Sequence, residues 1–192
     1  MSSTSTRITV PGTRGEIWIE HWHRYHFAAR AVAGKRVLDV ACGEGYGTAL
    51  LAQAAAEVTG VDLSAEAIEH ASKAYAGARN ARFVCAPCTR LPLADGSIDV
   101  AVSFETIEHI ADQAPFLDEL ARVLAPGGHL LFLPVRPSPA TRLLEIMFRF
   151  KAHPPREVAE ATESLFSVVE HHRFHPLEPI GWTKSVVLAQ KP

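Results

Sequence analysis

The chain has 192 residues, 47% of them hydrophobic and 21% charged, with 19 Lys and Arg against 21 Asp and Glu and a formal net charge of −2. That size and apolar share suit one domain around one core, and the balanced charge supplies no basic field for nucleic acid. The three cysteines, an odd number, fit a reducing compartment better than a disulfide framework; the first 34 residues hold no apolar run, so neither a secretory signal nor a membrane span is expected and the cytoplasm is the default location.

Residues 1–15, rich in Ser, Thr, Gly and Arg, suggest a mobile start. A helix over 16–33 follows, dense in functional side chains at Glu20-His-Trp-His-Arg-Tyr-His26. Val37, Leu38 and Val40 form an apolar run suited to a strand buried on both faces, as parallel sheets require. Gly43, Gly45 and Gly47 then permit positive φ and leave no Cβ, so a ligand could lie against the backbone. An Ala- and Leu-rich helix is predicted over 48–56, its first amides directed at the turn. The next apolar strand ends at Asp62, nineteen residues after Gly43, where a carboxylate can accept two ribose hydroxyls.

Further along, Leu91-Pro-Leu93 and Ala94-Asp-Gly-Ser97 are loop and turn chemistry, and 98–104 is another buried strand. Asp112 is a plausible N-cap for a helix through Leu124 whose Phe116, Leu117, Leu120, Val123 and Leu124 fall at helical spacing. Pro126-Gly-Gly128 would end it, and 129–135 would be the next strand. The alternation predicts a doubly wound α/β fold, a mostly parallel sheet with right-handed crossovers. Ligands of such sheets bind at the carboxyl ends of the strands. Ala41 to Gly47, Asp62, the loop at Pro87 and Cys88, and Phe104 to His109 should therefore surround one crevice.

A dinucleotide fingerprint G-x-G-x-x-G/A counted from Gly43 fails at Thr48. Counted from Asp39, the segment Asp39-Val-Ala41-Cys-Gly43-Glu-Gly45 resembles the D-x-G-x-G-x-G turn of class I S-adenosylmethionine-dependent methyltransferases, with Ala41 in place of the first glycine. FVCAPCTRLPLADGSIDVAVSFETIEHI and FLDELARVLAPGGHLLFLPV resemble the rest of that family's core, in order, so the resemblance covers about 35–135 and is greatest to the type 11 branch. It implies a Rossmann-like seven-stranded sheet with an antiparallel last strand, the final two strands falling within 164–175 and 182–190. It also implies S-adenosylmethionine as cofactor and methyl transfer to a small-molecule acceptor, most simply to oxygen. The whole chain would form a single domain: 1–34 a tail and lid helix, 35–135 the cofactor core, 136–192 the substrate cover and last strands. A homodimer is possible in such an arrangement, and stable membrane insertion is not expected.

Site roles follow from the same resemblance. Asp62 takes the ribose. Asp39, costly to bury alone, should meet the turn amides or, through them, the cofactor's ammonium. Relatives often carry an acid for the adenine amino group after the third strand, and Ala86-Pro87-Cys88 stands there instead. Adenine recognition then leans on the Cys88 amide and on Leu63. Tyr25 and His26, on a helix that lids the cofactor in relatives, would touch the methionine tail, with Trp22 against the acceptor. In Phe104-Glu105-Thr-Ile-Glu108-His109, His109 is a candidate general base beside Glu105. The alternatives there are a structural role, or a divalent-metal site completed by His153, His171, His172 or His175. Cys85-x-x-Cys88 is a C-x-x-C, but it ends a strand rather than opening a helix, so a redox or zinc role is disfavoured. The stretch Leu143 to Lys151, apolar with basic flanks, suits a substrate lid, a dimer face, a membrane-surface helix or a core helix. A non-catalytic cofactor-binding module and a nicotinamide dehydrogenase are the rival functions.

Overall fold

A computed structural model of the protein describes residues 16–104, 106–110, 112–133, 162–173 and 185–192, with side chains described for all of these except 16–23, 108, 169–173 and 185. In chain order the elements are α1 (Glu16–Ala31), β1 (Arg36–Val40), α2 (Tyr46–Leu51), β2 (Glu57–Asp62), α3 (Ala65–Ala74), β3 (Ala81–Cys85), β4 (Ile98–Phe104), a one-turn 3-10 helix (Ile107–His109), α4 (Ala114–Val123), β5 (Leu124–Leu133), β6 (Ser167–Arg173) and β7 (Ser185–Gln190). Seven strands lie in the order β3-β2-β1-β4-β5-β7-β6. The first five pair in parallel, and β7 runs antiparallel to both β5 and β6. The doubly wound sheet with an antiparallel last strand is thus borne out.

Two apolar layers cover the sheet because side chains alternate along each strand. On one face Leu38, Val40, Val61 and Ala101 meet Phe116, Leu117, Leu120 and Val123 of α4. On the other, Val37, Val58, Val102 and Phe104 meet Tyr25, Ala28 and Val32 at the α1 side and Leu51 of α2. Burying one such Leu or Phe contributes roughly 2 kcal/mol. Since β1 and β4 are central neighbours while chain continuity runs β1 to β2, the order reverses beside β1. In open sheets of this kind that point, above the carboxyl ends of the strands, is where ligands bind.

Some boundaries differ from expectation for identifiable reasons. The helix after the glycine turn is Tyr46–Leu51 rather than 48–56. Asn80 Nδ2 donates to the carbonyls of Ala52 and Ala55, at 2.8 and 3.1 Å, and Ala56 N donates to Lys35 O, which draws this backbone out of helical pairing. Asp112 accepts from Ala114 N at 3.3 Å, while Gln113 occupies the cap position of α4. Pro126-Gly-Gly128 does not stop the chain between helix and strand: α4 ends at Val123 and β5 begins at Leu124. A register irregularity between Ile98 and Val100 absorbs that segment, and Gly127 N and Gly128 O pair with the Lys191 backbone. The apolar stretch 143–151 lies outside the described residues.

Candidate functional site

The turn from β1 to α2 is built from left-handed backbone: Ala41 has φ 58°, Gly43 φ 53° and Gly45 φ 84°. Ala41 is exposed, so its Cβ meets no wall, but the conformation still costs an L residue about 1 kcal/mol. At Gly43 a Cβ would meet nothing within 4 Å; its backbone borders open space, as close approach by a ligand requires. The other two glycines have a different physical reason. A Cβ on Gly45 would lie 2.6 Å from both Ala71 Cβ and Phe83 Cε1, and one on Gly47 would run into the Tyr25 ring. The opening at these positions faces the protein's own side chains, which corrects the expectation that all three glycines leave room for a ligand.

Asp62, at the end of β2, joins the turn to the following helix. Its Oδ2 accepts the Gly43 amide at 2.8 Å and its Oδ1 the Ser64 amide at 2.9 Å. Each oxygen retains a lone pair, and the residue is only half-buried. Leu63 beside it is 73% exposed, the large hydrophobic side chain left in solvent among the described residues. Register pairs Asp62 with Cys85 of β3, and the Cys85 thiol donates to Leu63 O at 3.5 Å. Pro87 is exposed and Cys88 half-buried in the next turn, with burial pushing the Cys88 thiol above its ordinary value. Asp62, Leu63, Pro87 and Cys88 therefore gather at one end of neighbouring strands. All three cysteines are free thiols.

Behind the turn lies a buried acid. Asp39 is 0% exposed; its Oδ1 accepts from Tyr25 Oη at 3.1 Å and its Oδ2 from Thr48 Oγ1 at 2.6 Å. The expected turn amides are engaged elsewhere, since Gly43 N goes to Asp62 and Gly45 N to Cys42 O. Burial pushes the Asp39 carboxyl up to about 7, against the two hydroxyl bonds, which favour the charge, and with the Asp62 carboxylate, which opposes it. Tyr25 is 5% exposed, and its ring stands edge-on to Phe104 at 5.2 Å and to Tyr46 at 5.4 Å. Burial and the Asp39 charge raise its phenol well above the usual range. Arg24, 1% exposed, exerts the opposite pull on that phenol; an arginine inside a polar helix gave no sequence signal of burial. His26 is exposed, and Trp22 and His23 lie among side chains outside the description.

Phe104 is buried at the end of β4. Thr106 Oγ1 donates to Val40 O at 3.4 Å and to Phe104 O at 3.2 Å, tying the next turn to the end of β1. His109 is exposed at the close of the 3-10 turn. Glu105 lies outside the described residues, as do the side chains of Glu108, His171 and His172 and all of His153 and His175. Among the described residues no group of three His, Cys, Asp or Glu is placed to hold a metal. A further device escaped the sequence: Arg122 of α4 binds Glu119 at 2.7 Å, Asp95 at 2.5 Å and the carbonyls of Leu91 and Leu93 at 3.1 and 2.9 Å. It fastens the loop between β3 and β4 onto α4.

Residues 38–132 match a family model described as a methyltransferase domain. A probable S-adenosylmethionine-dependent methyltransferase of Mycolicibacterium smegmatis is 39% identical over 130 residues, 64% of this chain and 48% of that protein. A ubiquinone biosynthesis O-methyltransferase of Psychrobacter arcticus is 34% identical over 125 residues, 62% of this chain and 48% of that protein. The chain spans about half the length of these curated relatives. Among solved structures, geranyl diphosphate C-methyltransferase of Streptomyces coelicolor superposes with a TM-score of 0.77 at 15% identity, covering 89% of this chain and 77% of that one, a likeness of fold. The matched core, the sheet order and the turn joined to its acid make the chain a member of the class I S-adenosylmethionine-dependent methyltransferases, in their type 11 branch.

Proposed function

We propose that the protein methylates a small-molecule acceptor, at oxygen, with S-adenosylmethionine as donor. The observation that carries this reading is the Asp62 carboxylate: held by the Gly43 and Ser64 amides at 2.8 and 2.9 Å, it keeps lone pairs for a vicinal diol between an open glycine backbone and the exposed Leu63. A ribose and the adenine beyond it fit that acceptor and apolar set. The bound cofactor supplies an activated methyl group on a sulfonium. Asp62 accepts the ribose hydroxyls, Leu63 and Pro87 flank the base, and the Cys88 amide meets its edge. Ala41 and Gly43 give backbone to the tail, with Asp39 behind them and Gly45 and Gly47 keeping the turn in place. Phe104 and Thr106 position the start of the acceptor side. Because the leaving group is already activated, orientation and exclusion of water account for most of the rate. His109, with Glu105 four residues before it in the chain, takes the proton from the acceptor hydroxyl.

The acceptor class follows from chemistry and relatives together. A phenolic hydroxyl gives up its proton to an imidazole more readily than an alcohol does, and the Psychrobacter arcticus relative is named as a ubiquinone biosynthesis O-methyltransferase. A phenol or catechol is accordingly proposed.

Calorimetric titration with S-adenosylhomocysteine and, separately, NADH tests the cofactor, each repeated with Asp62→Ala. Micromolar affinity for the first, abolished in the variant, supports the reading; binding of NADH alone overturns it. Catechol methylation that falls at least tenfold in His109→Ala supports the base. Cofactor binding with no turnover on any phenol would instead favour a non-catalytic module.

A further inference from the structure

Tyr25 was expected to touch the cofactor, yet it is buried and its hydroxyl is committed to Asp39. Its ring meets three parts of the site at once: Phe104 at the end of β4, Tyr46 at the start of α2, and the face of Gly47. Nothing in that placement requires ligand contact. Asp39, in turn, has no exposed surface and is held by two neutral hydroxyls, one from α1 and one from α2.

We propose that Tyr25 is a positioning residue that acts through Asp39: by donating a hydrogen bond from α1 it favours the ionised form of the buried carboxylate, and the ionised carboxylate strengthens binding of the cofactor's cationic ammonium end. The inference rests on the cofactor reading above. Its physical basis is that burial disfavours a carboxylate charge while a donated hydrogen bond favours it. A positive charge arriving in the adjoining turn favours it further. Affinity must then rise with pH as Asp39 loses its proton, and the position of the rise must depend on Tyr25.

Other groups facing Asp39 leave this interval clear. On the α1 side burial raises the Tyr25 phenol above its usual range, with the Arg24 guanidinium pulling the other way. At the turn the Cys42 thiol is likewise raised, by burial and by the two nearby carboxylates. From α2 come Thr48, which does not titrate, and Tyr46, which couples to Tyr25. Asp62 of β2 adds negative charge that opposes ionisation. Asp39 itself lies at about 7, between burial and its two donors.

The test measures S-adenosylhomocysteine affinity of the full chain by calorimetry from pH 5.5 to 8.5, for the unaltered protein, Tyr25→Phe and Asp39→Asn. Tyr25→Phe keeps the ring and removes only the donor. Its affinity should be about fivefold to tenfold lower at pH 6.5 and should converge on the unaltered protein by pH 8.5, a shift of about one pH unit in the profile. Asp39→Asn should bind weakly with no rise across the range. A Tyr25→Phe curve that is parallel to or superimposed on the unaltered one, or an Asp39→Asn curve that still rises, overturns the inference while leaving the cofactor reading intact. Absence of binding by the unaltered protein at every pH removes both.

Discussion

The aromatic ring of Tyr25 fills the space that a Cβ on Gly47 would occupy, so α1 is seated directly on the start of α2. Tyr25 is also hydrogen-bonded to Asp39 and stands edge-on to Phe104. One methyl group at position 47 must displace the ring, and with it the hydroxyl that holds the buried acid.

Gly47→Ala should therefore destabilise the fold by about 3 kcal/mol, the order of an overpacked core, and should lower cofactor affinity as well. Gly43→Ala provides the contrast. No atom lies within 4 Å of that Cβ, but φ is 53°, so stability should fall by only about 1 kcal/mol while affinity falls tenfold or more. Urea unfolding paired with S-adenosylhomocysteine titration checks both. Equal effects of the two substitutions on stability would refute the distinction between a packing glycine and a ligand-facing one.

Ala41 bears a left-handed φ of 58° with its side chain exposed. Ala41→Gly relieves that strain, although the unfolded chain gains entropy. The expected net is a stabilisation of about 0.5 kcal/mol, visible as a higher urea midpoint with an unchanged slope. A lower midpoint would mean that the methyl group packs on something that outweighs the backbone strain.

Stability should fall as pH rises from about 4 to 7. Burial lifts the Asp39 carboxyl from 3.8 to about 7 in the native state. Below 3.8 both states carry the proton and the contribution of Asp39 is fully present. Between the two values the unfolded chain has lost its proton and the native protein keeps it, so ν_N exceeds ν_U and the slope is negative, at most about 1.4 kcal/mol per pH unit. Asp39→Asn removes the titration; its stability relative to the unaltered protein should improve steadily across this window. Parallel profiles would show that Asp39 is ionised in the native state throughout.

Much of the fold was legible because its signals are local. The strand ending at Val40 and the strand Ile98–Phe104 announce themselves by predominantly apolar runs, and the role proposed for Asp62 depends on a spacing set within one strand-turn-helix-strand unit. Boundaries were missed where distant groups decide them. Asn80, 28 and 25 residues away, draws on the Ala52 and Ala55 carbonyls beyond the end of α2. The irregular register near Ile98 lets Pro126-Gly-Gly128 enter β5 rather than separate it from α4.

By itself the sequence determined the alternation of strands and helices and the carboxylate nineteen residues beyond Gly43, since periodicity and turn chemistry act over a few residues. Only the tertiary structure decided what stands against each glycine, that Asp39 meets hydroxyls 14 and 9 residues away instead of turn amides, and that Arg122 fastens a loop some 30 residues before it. A glycine records in the sequence that a side chain is missing. Which neighbour uses the vacated space, and which donor reaches a buried charge, depends on how elements far apart in the chain pack together.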